Sequence, residues 1–262
     1  MDSAQITHVS LCAGYGGLDL GLRRACGPSL RTIAYSEIEA CAIECLLARM
    51  EERAIDEAPI WSDLKTFSWH ELPANVGIMS AGYPCQPFSQ AGLRAGKNDP
   101  RHLWPHVLHG ITTVRPAVVF LENVAGHLSL GAETVLRDLQ ETGYRSTFGL
   151  FSAAEVGACH ERKRLFILAH SLCERGQLQV KRIISAVKNA GSTSQAGRNP
   201  DHWADYSRWP VEPCVCRDDD GAAFRVDRLR LLGNGVVPAT AELAFRTLCD
   251  MTCQENADSF TR

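Results

Sequence analysis

At 262 residues the chain has room for one large domain, or for a domain of roughly 200 residues with a small appendage. Apolar residues make up 45% and charged residues 22%, which excludes a wholly disordered chain. The formal charge of −3 excludes a histone-like polycation, yet residues 160 to 208 carry nine Lys/Arg against four Asp/Glu and leave the remainder at −8, an asymmetry open to a DNA-facing surface or a merely solvated basic one.

Along the first 170 residues, short apolar runs alternate with amphipathic stretches, the rhythm of βα units that build a mostly parallel sheet. Strands are predicted at Thr7–Cys12, Arg31–Tyr35, Val76–Ser80, Ala117–Leu121 and Arg164–Ala169. Helices are predicted at Leu18–Ala25, Glu39–Met50, His102–Val114 and Glu133–Glu141. The fold class is therefore α/β, a doubly wound, mostly parallel sheet. From Ser171 to Phe224 periodicity fades into a polar stretch containing Trp203, Trp209, Pro210 and Pro213; it returns at Arg225–Leu232 and in a helix over Ala239–Met251, begun by Pro238. Residues 1–170 and 225–262 are expected to form the main domain, with 171–224 a small separate one. No run reaches the roughly 18 apolar residues of a membrane span and no signal-peptide pattern leads the chain, so a cytoplasmic location is expected. The eleven scattered cysteines are odd in number and argue against a disulfide framework, and the Cys214/Cys216 spacing is wrong for a zinc knuckle, so no metal is expected.

Three segments carry chemistry. The run His8–Cys12 leads into Ala13-Gly14-Tyr15-Gly16-Gly17, a glycine turn between strand and helix that either lets a ligand lie against bare backbone or is a plain joint. Glu37, after the second strand, can accept both hydroxyls of a ribose or stand solvated, and Asp63 is open between an adenine contact and a cap. Second, Gly82-Tyr83-Pro84-Cys85-Gln86-Pro87-Phe88-Ser89-Gln90-Ala91-Gly92 follows an apolar strand, where a cysteine is exposed enough to deprotonate and attack. Third, Glu122-Asn123-Val124 ends the next strong strand, and neighbouring parallel strands bring their C-terminal ends to one pocket.

These blocks, with Gly233 to Pro238 (Gly-Asn-x-Val-Val-Pro), resemble the bacterial and viral DNA (cytosine-5)-methyltransferase family over residues 8–170 and 225–245, in the family's order. The resemblance implies a Rossmann-like, S-adenosylmethionine-dependent catalytic domain with residues 171–224 as target-recognition domain. It implies Cys85 as the thiolate that adds to C6 of a flipped cytosine, Glu122 as the acid at N3, Asn123 as its orienting neighbour, Arg162 at the cytosine O2 and the thiolate, and Arg164 as a brace. For S-adenosylmethionine it points to Tyr15, Gly16, Gly17 and Leu18, to Glu37 with Ile38, to Asp63 with Leu64, and to Pro84, Leu103, Asn234, Gly235 and Val236. For DNA it points to Gln86 and Ser89, to Arg94, Lys97 and Arg101 in the loop after Cys85, and to Lys181, Arg182 and Arg208 as phosphate contacts. Two positions depart from the family: Cys12 stands where phenylalanine is usual and His160 where glutamine is usual. The implied activity is sequence-specific methylation of double-stranded DNA, as in restriction-modification, by a monomer without an obligate protein partner. A tRNA methyltransferase of the same mechanism lacks support because its Cys-Phe-Thr insert is missing. A catalytically dead DNA-binding relative predicts loss of Cys85, Glu122 or Arg162, and all three are present.

Overall fold

Seven strands form a single sheet in the computed structural model, which describes residues 5–84, 103–194, 233 and 235–258. In chain order the elements are β1 (Ile6–Leu11), α1 (Gly17–Cys26), β2 (Leu30–Ser36), α2 (Ala40–Glu51), β3 (Ile60–Trp61), β4 (Ile78–Ala81), α3 (Trp104–Val114), β5 (Val118–Val124), α4 (His127–Leu130), α5 (Ala132–Glu141), β6 (Tyr144–Phe151), β7 (Arg164–Ser171), α6 (Glu174–Ser194) and α7 (Pro238–Asp258). The sheet order is β3-β2-β1-β4-β5-β7-β6. All strands run parallel except β7, which pairs antiparallel with β5 on one side and β6 on the other.

The strands that sit inside the sheet are buried on both faces, which is why they read as continuous apolar runs rather than alternating ones. On one face Val9, Leu11, Met79, Ala81, Val119, Leu121, Leu165 and Ile167 pack against Val107 and Ile111 of α3 and Val135 and Leu139 of α5. On the other, Ile78, Val118, Phe120, Phe166 and Leu168 meet Leu22 of α1, Val180, Ile183 and Val187 of α6, and Phe245 and Leu248 of α7. A smaller cluster of Tyr35, Leu46 and Ile55 seats α2 at the β2 edge.

Four elements escape the sequence reading, the single-turn α4 among them. β3 is two residues long and β6 is an edge strand whose outer positions, Phe148 and Leu150, are exposed, so neither shows a clean period. Helix α6 occupies the first part of the stretch read as aperiodic; only Val180, Ile183 and Val187 of its long polar sequence are fully apolar and buried, at i, i+3 and i+7. It packs into the same core as α1 and α7.

Helix α7 packs back onto α1 through a close fit. A Cβ on Gly21 would lie 2.6 Å from the Ala241 Cβ and 2.8 Å from the Pro238 carbonyl oxygen. Arg246 of α7 stitches the layer by donating to the Val187 carbonyl of α6 at 2.9 Å and to the Arg24 carbonyl at 2.9 Å, the latter in the last turn of α1 where a cation is favoured. Alanine ordinarily gains up to about 1 kcal/mol over glycine in a helix. Here Gly21→Ala is expected instead to destabilise by about 1–3 kcal/mol, because backbone has to move to admit the methyl, and urea unfolding of the variant checks the sign.

Candidate functional site

The C-terminal ends of β1, β4 and β5 lie side by side, since Leu11 pairs with Ala81 and Ala81 with Leu121. Glu122, the next residue of β5, is buried, and burial pushes its carboxyl up to about 7 against the opposing pull of Arg164 and Arg162. The Arg164 Nε lies 2.9 Å from Glu122 Oε1. Gly82 follows β4, and a Cβ there would come within 3.4 Å of Glu122 Oε2 and 3.6 Å of the Cys12 carbonyl oxygen, so bare backbone lies against the acid. Asn123 reaches back from β5: its Nδ2 donates to the Tyr83 carbonyl at 3.0 Å, and its Oδ1 accepts from the Val124 amide at 2.9 Å.

Arg162 adopts φ 33°, a left-handed conformation costly for a residue with a side chain. Its Nη2 donates to the carbonyls of Gly233, at 2.8 Å, and Gly235. The segment leading into α7 is thereby drawn over the β1–α1 turn. The Tyr15 hydroxyl donates to the Val236 carbonyl at 2.5 Å, the Arg49 guanidinium sits 5.3 Å over the Tyr15 ring, and side chains at Gly17 or Gly235 would collide with Val236 or Tyr15 respectively. These two glycines permit a backbone approach that no other residue allows.

On the β2 side, the turn exposes the face that a nucleoside cofactor needs. Among the described residues nothing lies within 4 Å of a Cβ built on Gly14, at φ 56°, so the turn presents bare backbone. Glu37 is fixed at the end of β2 by accepting from the amides of Gly14 (2.7 Å), Ile38 (2.9 Å) and Glu39 (2.9 Å). A carboxylate offers about four acceptor positions, so one remains for a ligand hydroxyl. Beside it stand Ile38, 67% exposed, and Trp61, 37% exposed, an apolar ledge suited to a flat base, with Asp63 next along the chain. The residues present thus fit an S-adenosyl group.

The structure brings Tyr15, Gly16, Gly17, Glu37, Glu122, Asn123, Arg162, Arg164, Gly235 and Val236 to one edge of the sheet. Leu64 is buried in the core with Val9 and Leu11, and Asp63 caps the turn after it by accepting from the Lys65 amide at 3.0 Å. Leu18 is buried against α7, Leu103 is half-buried at the start of α3, and Pro84 is exposed. Lys181 and Arg182 are exposed on α6, a helix whose contacts with Ser171 and the Gly27–Ser29 turn put it at the opposite edge, where the parallel strands begin. Cys85, Gln86, Ser89, Arg94, Lys97, Arg101, Arg208 and Asn234 lie outside the described residues. Cys12, at φ 50°, is a half-buried thiol whose pKa is held up to about 12, chiefly by burial and then by Glu37, so it stays protonated near neutrality, while His160 is exposed. Sequence reasoning passed over Trp61, Tyr83 and His127; an aromatic directly before the Pro-Cys pair and a histidine just after Glu-Asn-Val were the available signals.

Residues 6–194 match the model of a family described as C-5 cytosine-specific DNA methylase. The chain is 31% identical over 169 residues to the Type II methyltransferase M.NgoMIV of Neisseria gonorrhoeae, covering 63% of this chain and 52% of that protein. It is 28% identical over 243 residues to M.CviJI of Paramecium bursaria Chlorella virus IL3A, covering 92% of this chain and 58% of the viral protein. The chain thus spans little more than half the length of these relatives. Among solved structures, Dnmt2 of S. pombe superimposes with TM-score 0.54 at 22% identity, covering 65% of this chain and 52% of that one. A DNA modification methyltransferase encoded within an E. coli prophage superimposes with TM-score 0.52 at 20% identity, covering 64% of this chain and 47% of that one. Both likenesses concern the fold.

An unfolded glutamate releases its proton near 4.5, whereas folded Glu122 holds it to about 7. The native state therefore binds the extra proton between those values, and this group's contribution to stability falls as pH rises through that window. A ¹³C-carboxyl NMR titration should place the Glu122 midpoint near 7 and move it upward in Arg164→Met, which removes the cation that favours the charged form; a wild-type midpoint near 4.5 would contradict the burial account.

Proposed function

Because the chain belongs to the C-5 cytosine-specific DNA methylase family, we propose that it transfers a methyl group from S-adenosylmethionine to C5 of cytosine in a specific sequence of double-stranded DNA. One observation carries this reading. Glu122 is buried beside Arg164 at the end of the strand adjoining the one that leads into Cys85, and it keeps its proton to about neutrality.

C5 of cytosine is a weak nucleophile until a thiolate adds to C6. Cys85 Sγ forms that bond, and the electron pair displaced from the C5–C6 double bond spreads toward N3, where the protonated Glu122 donates a proton and limits the charge on the ring. Bound S-adenosylmethionine would supply an electrophilic sulfonium methyl, which C5 would take as the S–CH3 bond breaks to give the neutral thioether. Loss of the C5 proton to a base, followed by expulsion of the Cys85 thiolate from C6, restores the aromatic ring. The cytosine has to leave the base stack to enter a site at the sheet edge. Arg162 and Arg164 supply positive charge at this pocket, where it opposes charge build-up and favours a thiolate.

Glu37 would hold the ribose through its remaining acceptor position, Ile38 and Trp61 would flank the base, and Gly14 to Gly17 would present backbone to the methionine end. We assign the recognition of sequence to residues within 171–224, beginning beyond α6, whose packing into the sheet core supports counting it with the catalytic unit. Among the described residues no helix is long and apolar enough to cross a membrane, and we place the protein in the cytoplasm with its DNA.

Incubation with tritiated S-adenosylmethionine and genomic DNA tests the reading. Wild type should label cytosine C5, and Cys85→Ser should lose at least about 10³-fold in rate with cofactor affinity retained. No label from a folded, cofactor-binding wild type would overturn it. Because Glu122 acts protonated, kcat/KM for DNA should fall as pH rises through about 7, and this alkaline limb should vanish in Glu122→Gln together with most of the activity.

A further inference from the structure

Tyr83 is buried two residues ahead of Cys85, and contacts among the described residues hold its backbone, its hydroxyl and its ring. Its carbonyl accepts from Asn123 Nδ2 at 3.0 Å, its hydroxyl meets His127 Nε2 at 3.1 Å, and its ring lies 5.5 Å from that of Trp104. His127 also sets its ring edge-on to Tyr83, with centroids 5.8 Å apart. Trp104 opens α3, on the far side of residues 85–102, and its Nε1 donates to Asp138 Oδ2 of α5 at 2.8 Å. The two residues that bracket the Cys85 segment therefore touch, and each is tethered by a polar bond to the α4–α5 layer.

The tethers on Tyr83 share an origin. Asn123 and His127 both belong to the short stretch that follows Glu122, the end of β5 and the start of α4. One grips the backbone end of Tyr83 and the other the phenol end, so the residue cannot rotate about its own axis or slide along the strand. Simple packing does not call for such a pair. His127 is 4% exposed, and an apolar residue would fill that space without the desolvation cost of an imidazole. Burial holds its pKa down at about 4, so the ring is neutral near pH 7, and a neutral imidazole presents one nitrogen as an acceptor, the role Nε2 takes opposite the Tyr83 hydroxyl.

We propose that His127 is a positioning residue: through the Tyr83 hydroxyl it references the backbone leading into Cys85 to the strand that carries Glu122, and so sets the separation of nucleophile and acid. This rests on the methyl-transfer reading given above. Displacements of about 1 Å between reacting groups can lower a rate by up to about 10²-fold, so a hydrogen bond remote from the cytosine has catalytic leverage.

The test compares wild type with Tyr83→Phe, His127→Leu, His127→Gln and the Tyr83→Phe/His127→Leu double variant, all as the full chain, with tritiated S-adenosylmethionine and duplex DNA. Each of the first two variants should lower kcat roughly tenfold while the Kd for S-adenosylmethionine stays within about twofold. The double variant should be no slower than the slower single, since both remove one interaction. His127→Gln, which keeps an acceptor, should recover most of the rate even where its thermal midpoint drops as far as that of His127→Leu. Rates within twofold of wild type in both singles, multiplied effects in the double, or equal losses in the Leu and Gln variants would each overturn the proposal. Should wild type itself transfer no methyl group, the functional reading falls and the positioning role is judged on iodoacetamide alkylation of Cys85, followed by mass spectrometry of its peptide. An altered rate in Tyr83→Phe and His127→Leu that returns toward wild type in His127→Gln supports it, and an unchanged rate in both singles refutes it.

Discussion

The ion pair between Glu122 and Arg164, 2.9 Å apart and largely shielded from water, is the contact around which the rest of this edge of the protein is arranged. A lone buried carboxylate would simply take up a proton, and a fully paired one would be too acidic to give a proton to a base near neutrality. The intermediate state requires both burial and a cation, and the sheet supplies both. β5 buries Glu122 and Asn123 near its end, and the reversal of β7 brings its first residue, Arg164, opposite Val124. Were β7 parallel to its neighbours, its start would lie at the other sheet edge, one strand length or roughly 25 Å away.

The same reversal explains how a discontinuous site is closed. Arg162, just ahead of β7, is in position to grip the carbonyls of Gly233 and Gly235, and Tyr15 grips that of Val236. A strained arginine and two glycines with no room for a side chain are what it takes to draw a late segment of the chain against the first turn. Behind them, the Gly21 contact and the Arg246 bonds hold α7 in place over α1 and α6. Cofactor turn, acid and return segment thus form one mechanical unit, and the proposed methyl transfer draws on each part.

The polar bonds around Tyr83 extend this unit toward the nucleophile. Asn123 and His127 both follow Glu122 closely in sequence and both reach the residue that precedes the Pro-Cys pair. Any motion of β5 that shifted the acid would carry the backbone entering the Cys85 segment with it.

Much was legible in the residues themselves. Apolar runs of strand length divided by amphipathic stretches identify a doubly wound sheet, because strands buried on both faces must be apolar throughout. The Pro-Cys-Gln, Glu-Asn-Val and Gly-Asn-x-Val-Val-Pro blocks identify the chemistry, since local residue types at fixed spacing are intrinsic to the chain. Elements that bury little stayed hidden: β3 has two residues, β6 exposes Phe148 and Leu150, and α6 shows only a narrow apolar stripe. What the tertiary structure alone decided is who faces whom. That Arg164 pairs with Glu122 while Arg162 turns to the return segment, that Leu64 enters the core while Trp61 stands open beside Glu37, and that Tyr83 finds His127 all follow from strand order and strand direction. Those are set by pairing between distant parts of the chain, which no local pattern records.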